Sequence, residues 1–189
     1  MTERLQDLRG YPKLATLRRL RVDVQSQAGI QKAVALEHLD ITLGDTWLHE
    51  LTRLKQLTHL TLRGAFDGLD LSALRSLREL VVVSPLNANW VKSRSIERID
   101  FATTPITLLA LHTPKLTHLR IRDTPLTELR GLWEEKHLRQ IELSADRVQT
   151  IEVETDAFLR KLGKQLTIID GKRRQGYAAF AATKQIVPS

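Results

Sequence analysis

One short phrase recurs along the chain: an apolar residue, two others, an apolar residue, one other, an apolar residue. Its seven copies are Leu17-Leu20-Val22, Leu36-Leu39-Ile41, Leu57-Leu60-Leu62, Leu77-Leu80-Val82, Ile96-Ile99-Phe101, Leu116-Leu119-Ile121 and Leu138-Ile141-Leu143. Their first members are 19, 21, 20, 19, 20 and 22 residues apart. A fixed period in this range marks a solenoid of stacked units, each too small to bury its own apolar face. The phrase ends in a period-2 step, the pattern of a strand with one face inward. Leu39 and Ile41, or Leu119 and Ile121, therefore point to a common core. The roughly ten residues left in each unit must return the chain, a length that suits a 3₁₀ turn or a loop better than a full helix. They carry their own apolar anchors, such as Leu48, Leu51 and Leu54, then Leu69, Leu71 and Leu74, then Leu126, Leu129 and Leu132. Trp47 and Trp133 sit in such frames and are expected in the core of the return side.

These registered copies resemble the leucine-rich repeat family over roughly positions 5–171. The period near 20 and the turns Thr104-Pro105-Ile106 and Thr124-Pro125-Leu126 are similar to the short repeats of internalin-type bacterial proteins and phosphatase-regulator proteins. The resemblance implies an α/β fold: a right-handed horseshoe with a concave parallel sheet of about eight strands and short helical or irregular convex returns. It also implies a non-catalytic protein-protein interaction module of adaptor, regulatory or immunity and effector type, in a bacterial setting.

Two departures from the family pattern carry expectations of their own. The family places Asn three residues after the last strand anchor, whereas this chain has Gln25, Gly44, Ala65, Pro85, Thr104, Thr124 and Asp146 there. Thr and Asp can bond locally to backbone; Gly, Ala and Pro cannot, so the turns of repeats 2–4 should be irregular. Residues 85–90 lack the leucine spacing of a return and are expected to form a loop, with Trp90 filling the gap left by the missing leucines.

The ends read as caps. Residues 1–16 should cover the first strand through Leu5, Leu8 and Leu14, with repeats over 17–154, a C-terminal cap over 155–171 and a basic tail or cap extension over 172–189. A short helix is expected behind Thr155 or Asp156, and Leu166 to Arg173 resembles the tail that closes many short leucine-rich repeat proteins. Val148-x-x-Ile151-x-Val153 is read as the return side of the seventh repeat. The chain has no cysteine, which excludes disulfides and cysteine-based zinc sites. Met1 to Leu5 forms no apolar signal-peptide core and no run is long enough to span a bilayer, so a cytoplasmic protein without membrane contact is expected.

Between the anchors, alternate residues face outward in three columns. The first reads Arg19, His38, His59, Glu79, Arg98, His118, Gln140; the second Arg21, Asp40, Thr61, Val81, Asp100, Arg120, Glu142; the third Asp23, Thr42, Arg63, Val83, Ala102, Arg122, Ser144. The patch of Val81, Val83 and Ala102, rimmed by Arg63, Arg98, Asp100, Arg120 and Arg122 with His59 and His118 beside it, has the make-up of a protein interface. A covering loop from residues 84–95 is the alternative. His38 and His59 fall on adjacent strands near Asp40, but a closed site wants four ligands; neither a metal nor any other cofactor is expected.

The net charge of +7 is unevenly placed. Residues 157–189 hold seven basic side chains against Asp170, and the other 156 residues hold 22 basic and 21 acidic groups. Arg160, Lys161, Lys164, Lys172, Arg173 and Arg174 could form one basic patch at the cap. That patch supports the alternative of a nucleic-acid-associated protein. No phosphate-loop, dinucleotide, zinc-protease or nucleophile-elbow motif occurs, and no enzymatic activity is expected.

Overall fold

Each repeat phrase becomes a strand, because its alternating apolar residues can be buried only if copies stack edge to edge. The computed structural model describes residues 5–43, 48–64, 66, 68–83, 89–131 and 137–143, and the strands at 150–153, 167–170, 173–176 and 185–188. In chain order the strands are β1 (Arg19–Val24), β2 (His38–Leu43), β3 (His59–Arg63), β4 (Leu69–Asp70), β5 (Glu79–Val83), β6 (Trp90–Lys92), β7 (Arg98–Ala102) and β8 (Leu108–His112). They continue as β9 (His118–Arg122), β10 (Glu128–Arg130), β11 (Gln140–Leu143), β12 (Thr150–Val153), β13 (Thr167–Asp170), β14 (Arg173–Gly176) and β15 (Gln185–Pro188).

Among the described residues these form two sheets. The first has nine strands in the order β1-β2-β3-β5-β7-β9-β11-β13-β14, parallel except for the terminal β14. The second has six, β15-β12-β10-β8-β6-β4, all parallel. The chain is thus a parallel-strand solenoid whose units alternate between two facing sheets. Return sides differ along its length. The early ones are 3₁₀ turns at Leu14–Thr16, Ile30–Lys32 and Leu51–Arg53, and from β4 onward they are short strands. Of Val148-x-x-Ile151-x-Val153, the strand Thr150–Val153 lies on the return side as read, since β12 pairs with β10 in the second sheet, and Val148 lies outside the described residues. Residues 155–166, where a cap helix is expected, and Trp47 and Trp133 lie outside the described residues. No described helix is long and apolar enough to cross a membrane.

The core lies between the sheets. Leu39, Ile41, Leu60, Leu62, Leu80, Val82, Ile99 and Phe101 face Leu69, Val91, Leu109, Leu111 and Leu129, all at most 2% exposed. Truncating such a residue, Phe101→Ala for example, costs about 3–5 kcal/mol. Val91, not Trp90, fills the space behind the irregular return: on β6 the alternation buries Val91 and turns Trp90 outward. Leu8 and Leu14 close the open end of the core, while Leu5, 40% exposed, contributes a backbone bridge to Val24.

Successive units are joined at the entry to each first-sheet strand. The carbonyl of Arg18 accepts from both Glu37 N and His38 N, and the Glu37, Thr58, Arg78, Glu97 and Thr117 carbonyls do the same for the next unit. At the exits, Thr103 and Asp123 adopt left-handed backbone, φ 56° and 51°. Thr104 and Thr124 follow them into the core, where their hydroxyls have no hydrogen-bond partner.

Candidate functional site

The outward columns of the first sheet stack in the expected register. Arg19 lies beside His38, His38 beside His59, then Glu79, Arg98, His118 and Gln140. Parallel pairing brings each side chain against its counterpart one unit on, so charges of opposite sign on neighbouring strands can meet. Asp40 pairs with Arg21 at 3.3 Å and with Arg63. Glu79 pairs with Arg98 at 2.8 Å and stands 3.4 Å from His59 Nε2. Asp100 takes Arg122 at 2.7 Å and lies 4.0 Å from Arg120, which also holds Glu142 at 2.9 Å. Asp40 and Glu79 each reach side chains on both flanking strands and Asp100 reaches two arginines of β9, so neighbouring strands of the face are linked through their side chains.

The histidines are oriented by the residues before them. Thr58 Oγ1 donates to Glu37 O at 3.0 Å and lies 2.8 Å from His59 Nδ1. A hydroxyl has one proton, so Nδ1–H donates to Thr58 and Nε2 is the atom turned to Glu79. Thr117 repeats the arrangement, donating to Glu97 O at 2.8 Å with His118 Nδ1 at 2.8 Å. His38 stacks on His59, with ring centroids 4.2 Å apart. Burial, with His59 and Arg19 adding to it, holds the His38 imidazole below its ordinary pKa against the opposing pull of Glu37 and Glu79. The Leu-Thr-His-Leu runs at 57–60 and 116–119 were the available signal for these fixed rings. Among the described residues no group of three His, Asp or Glu side chains is placed to hold a metal.

Val81, Val83 and Ala102 are half-buried on this face. Val81 borders a depression of about 340 Å³ lined by Glu79, Arg98, Asp100, His118, Arg120 and Glu142, among others. Five of the ten expected interface residues, Val81, Arg98, Asp100, His118 and Arg120, therefore surround one hollow, while Arg63, Val83, Ala102 and Arg122 lie in the third column beside it and His59 lines a separate depression. The segment 90–92 belongs to the second sheet and does not cover the hollow. A second depression, about 280 Å³, lies between Arg19, His38, Asp40 and His59. Of the expected basic patch, Arg173 and Arg174 fall on the antiparallel β14, and Arg160, Lys161, Lys164 and Lys172 lie outside the described residues.

No protein-family model and no curated protein matches the sequence. Among solved structures, the functional domain of InlJ from Listeria monocytogenes, described as including a cysteine ladder, aligns at 16% identity with a TM-score of 0.23. The alignment covers 85% of this chain and 55% of that one, so the chain spans about half its length. This chain has no cysteine from which such a ladder could be built.

Proposed function

We propose that the chain is a leucine-rich-repeat-type recognition module that binds a protein partner on the outward face of its first sheet, without catalysis. The observation that carries the reading is the cross-strand ion-pair ladder around the Val81 hollow. Side chains tied to one another before binding lose less freedom when a partner covers them, which lowers the cost of association. Val81, Val83 and Ala102 supply the apolar centre and Arg98, Asp100, Arg120 and Arg122 the polar rim. His118 offers Nε2 to the hollow, its other nitrogen being engaged by Thr117.

The test is affinity capture from nuclease-treated lysate with wild type, Val81→Asp/Val83→Asp and Arg120→Glu, each first checked for folding by circular dichroism. A protein recovered in stoichiometric amount by wild type and lost by both folded variants supports the reading. Recovery that neither variant changes, or that vanishes with nuclease treatment alone, refutes it.

A further inference from the structure

The first sheet spends its charges on one another; the corner where each return enters the next first-sheet strand does not. In the first six units that corner is made by residues 13–16, 32–35, 53–56, 73–76, 92–95 and 112–115, which hold eight lysines and arginines and no acidic residue; the equivalent segment of the seventh, 134–137, holds Glu134 and Glu135 and ends the stripe in sequence. All eight are exposed. Stacking aligns them: Lys32 and Arg53 end successive 3₁₀ turns, Lys55 Nζ reaches Ala73 O of the next unit at 3.4 Å, and Lys92 pairs in register with His112. At roughly 4.8 Å per strand the stripe runs roughly 24 Å from the first unit to the sixth. The recorded hydrogen bonds of its side chains go to backbone carbonyls, Lys32 to Arg9 at 3.1 Å and Lys55 to Thr52 at 2.7 Å. None of the eight forms an ion pair among the described residues. Asp70 stands beside Lys92 in the second sheet; against burial, which raises it, hydrogen bonding to Ser72 and then the charge of Lys92 hold its carboxyl below the ordinary value.

An aromatic ring flanks the stripe at its fifth unit. Trp90 stands two residues before Lys92, so both side chains face outward with Val91 buried between them. The indole lies across Gly68, where a β-carbon would collide with it, yet Trp90 stays 36% exposed. Trp90, Lys92, Arg94 and His112, with Asp70 and Pro114, line a recess of about 610 Å³.

We propose that this corner binds single-stranded nucleic acid, its phosphates following the stripe and one base entering the recess against Trp90. Cations that track a backbone beside an aromatic platform are what sequence-tolerant single-strand binding requires. A ring seated on Gly68 inside a recess suits a flat base better than a bilayer, which is engaged by apolar side chains that project. The surface is separate from the protein-binding face, and its failure would leave that reading intact.

The test is fluorescence anisotropy of a labelled 12-nucleotide oligouridylate and its deoxythymidylate counterpart with the full chain at several salt concentrations. With about five phosphates engaged, log K should fall with log salt at a slope of about −3.5, roughly 100-fold between 50 and 200 mM. Arg53→Glu/Lys55→Glu/Arg75→Glu changes only exposed side chains outside the recess; it should weaken binding at least about 10-fold and flatten the slope by about 2. Trp90→Leu should weaken binding about 10-fold and leave the slope unchanged. Any of the following would overturn the proposal: no oligonucleotide binding at 50 mM salt, affinity indifferent to the triple charge reversal, uridine monophosphate binding as tightly as the 12-mer, or capture of phosphatidylserine vesicles without capture of the oligomer. Binding abolished only by Lys172→Glu/Arg173→Glu/Arg174→Glu would assign it to the C-terminal run and overturn the corner as the site.

Discussion

Replacing Gly29 with alanine should detach the N-terminal segment from the solenoid. Gly29 sits at φ 95°, immediately before the turn Ile30–Lys32, and left-handed backbone costs an L-residue about 1–2 kcal/mol. The larger effect is steric. A β-carbon there would stand 2.5 Å from Arg9 N and 2.6 Å from Leu8 C, backbone atoms that no rotamer change can move. If the segment swings away, Leu8 N→Ala28 O, Gln25 N→Leu5 O and Ser26 N→Gln6 O are lost, at 2.9, 2.9 and 3.0 Å. Three such bonds are worth about 3 kcal/mol net, and exposing Leu8, now 1% accessible, about 2 kcal/mol more. Partial relaxation will recover some of this, and a loss of about 3–4 kcal/mol is expected, against a usual total near 5–15 kcal/mol. Urea unfolding by circular dichroism measures it, with Gly10→Ala as the control. A β-carbon at Gly10 would meet nothing within 4 Å, so its change should stay within about 0.5 kcal/mol. Hydrogen exchange then locates the effect: amides of Leu8, Gln25 and Ser26 should exchange faster while β3 and β5 keep their protection. Equal stability of the two alanine variants would refute the steric argument.

Thr104→Val should raise the urea midpoint by the equivalent of about 1 kcal/mol at unchanged slope, because it removes a buried hydroxyl without a partner while keeping the side chain's shape. A lower midpoint would mean that the hydroxyl is bonded. His38 carries a pH dependence. Its lowered pKa, caused first by burial, means that the unfolded chain takes up the proton more readily. The stability it contributes is complete above the unfolded value near 6.5 and is lost as pH falls through the lower folded value. Stability should therefore decline as pH falls below about 6.5, less so in His38→Gln, and an NMR titration midpoint for His38 above 6.5 would contradict it. Asp100→Asn should cost about 0.5–1 kcal/mol in low salt, a modest figure because Arg120 and Arg122 are 45% and 37% exposed. That difference should shrink in 1 M salt; if it persisted, screened ion pairing would not be its cause.

The first sheet was legible residue by residue. From Arg19↔His38 to Gln140↔His118, the observed pairing is the register read from L-x-x-L-x-L alone, since a one-residue slip would turn every anchor to solvent. The second sheet was not. β4, β6 and β10 are two or three residues long and bury one apolar residue each, too little for a period of 2 to stand out from a 3₁₀ return. Trp90 was misplaced for the same reason: without a recognised strand, nothing said that Val91 would point in and its neighbour out. At the turns, the local bonding expected of Thr104 and Thr124 does not occur. The reversal is made one residue earlier, by the left-handed Thr103 and Asp123, which carries the hydroxyls inward. For the face, the columns were readable but the partners were not. Whether Asp100 holds Arg120 or Arg122 depends on side-chain reach along and across strands, and the bond to Arg122 is the shorter.

Charge summed along the chain does not show how it is arranged on the surface. A net of +1 over the body says nothing of where the charges stand in a structure that repeats every 20 residues or so. Folding such a chain places equivalent positions of successive units side by side, and a cation at one position in each unit becomes a row. On the first sheet the columns are mixed in sign, and where opposite charges fall on neighbouring strands they pair, so these charges help to hold the face together. At the corner the rows share one sign, so neighbours repel, and like charges brought together on folding oppose the compact state. The corner stripe therefore does not stabilise the fold. Among the described residues its cations form no ion pairs, at a place where an acidic residue in any of six four-residue segments could have supplied one. The two surfaces divide accordingly: on one, opposite charges of neighbouring strands are paired with each other, and on the other a row of exposed like charges has the arrangement that the proposed nucleic-acid strand would neutralise.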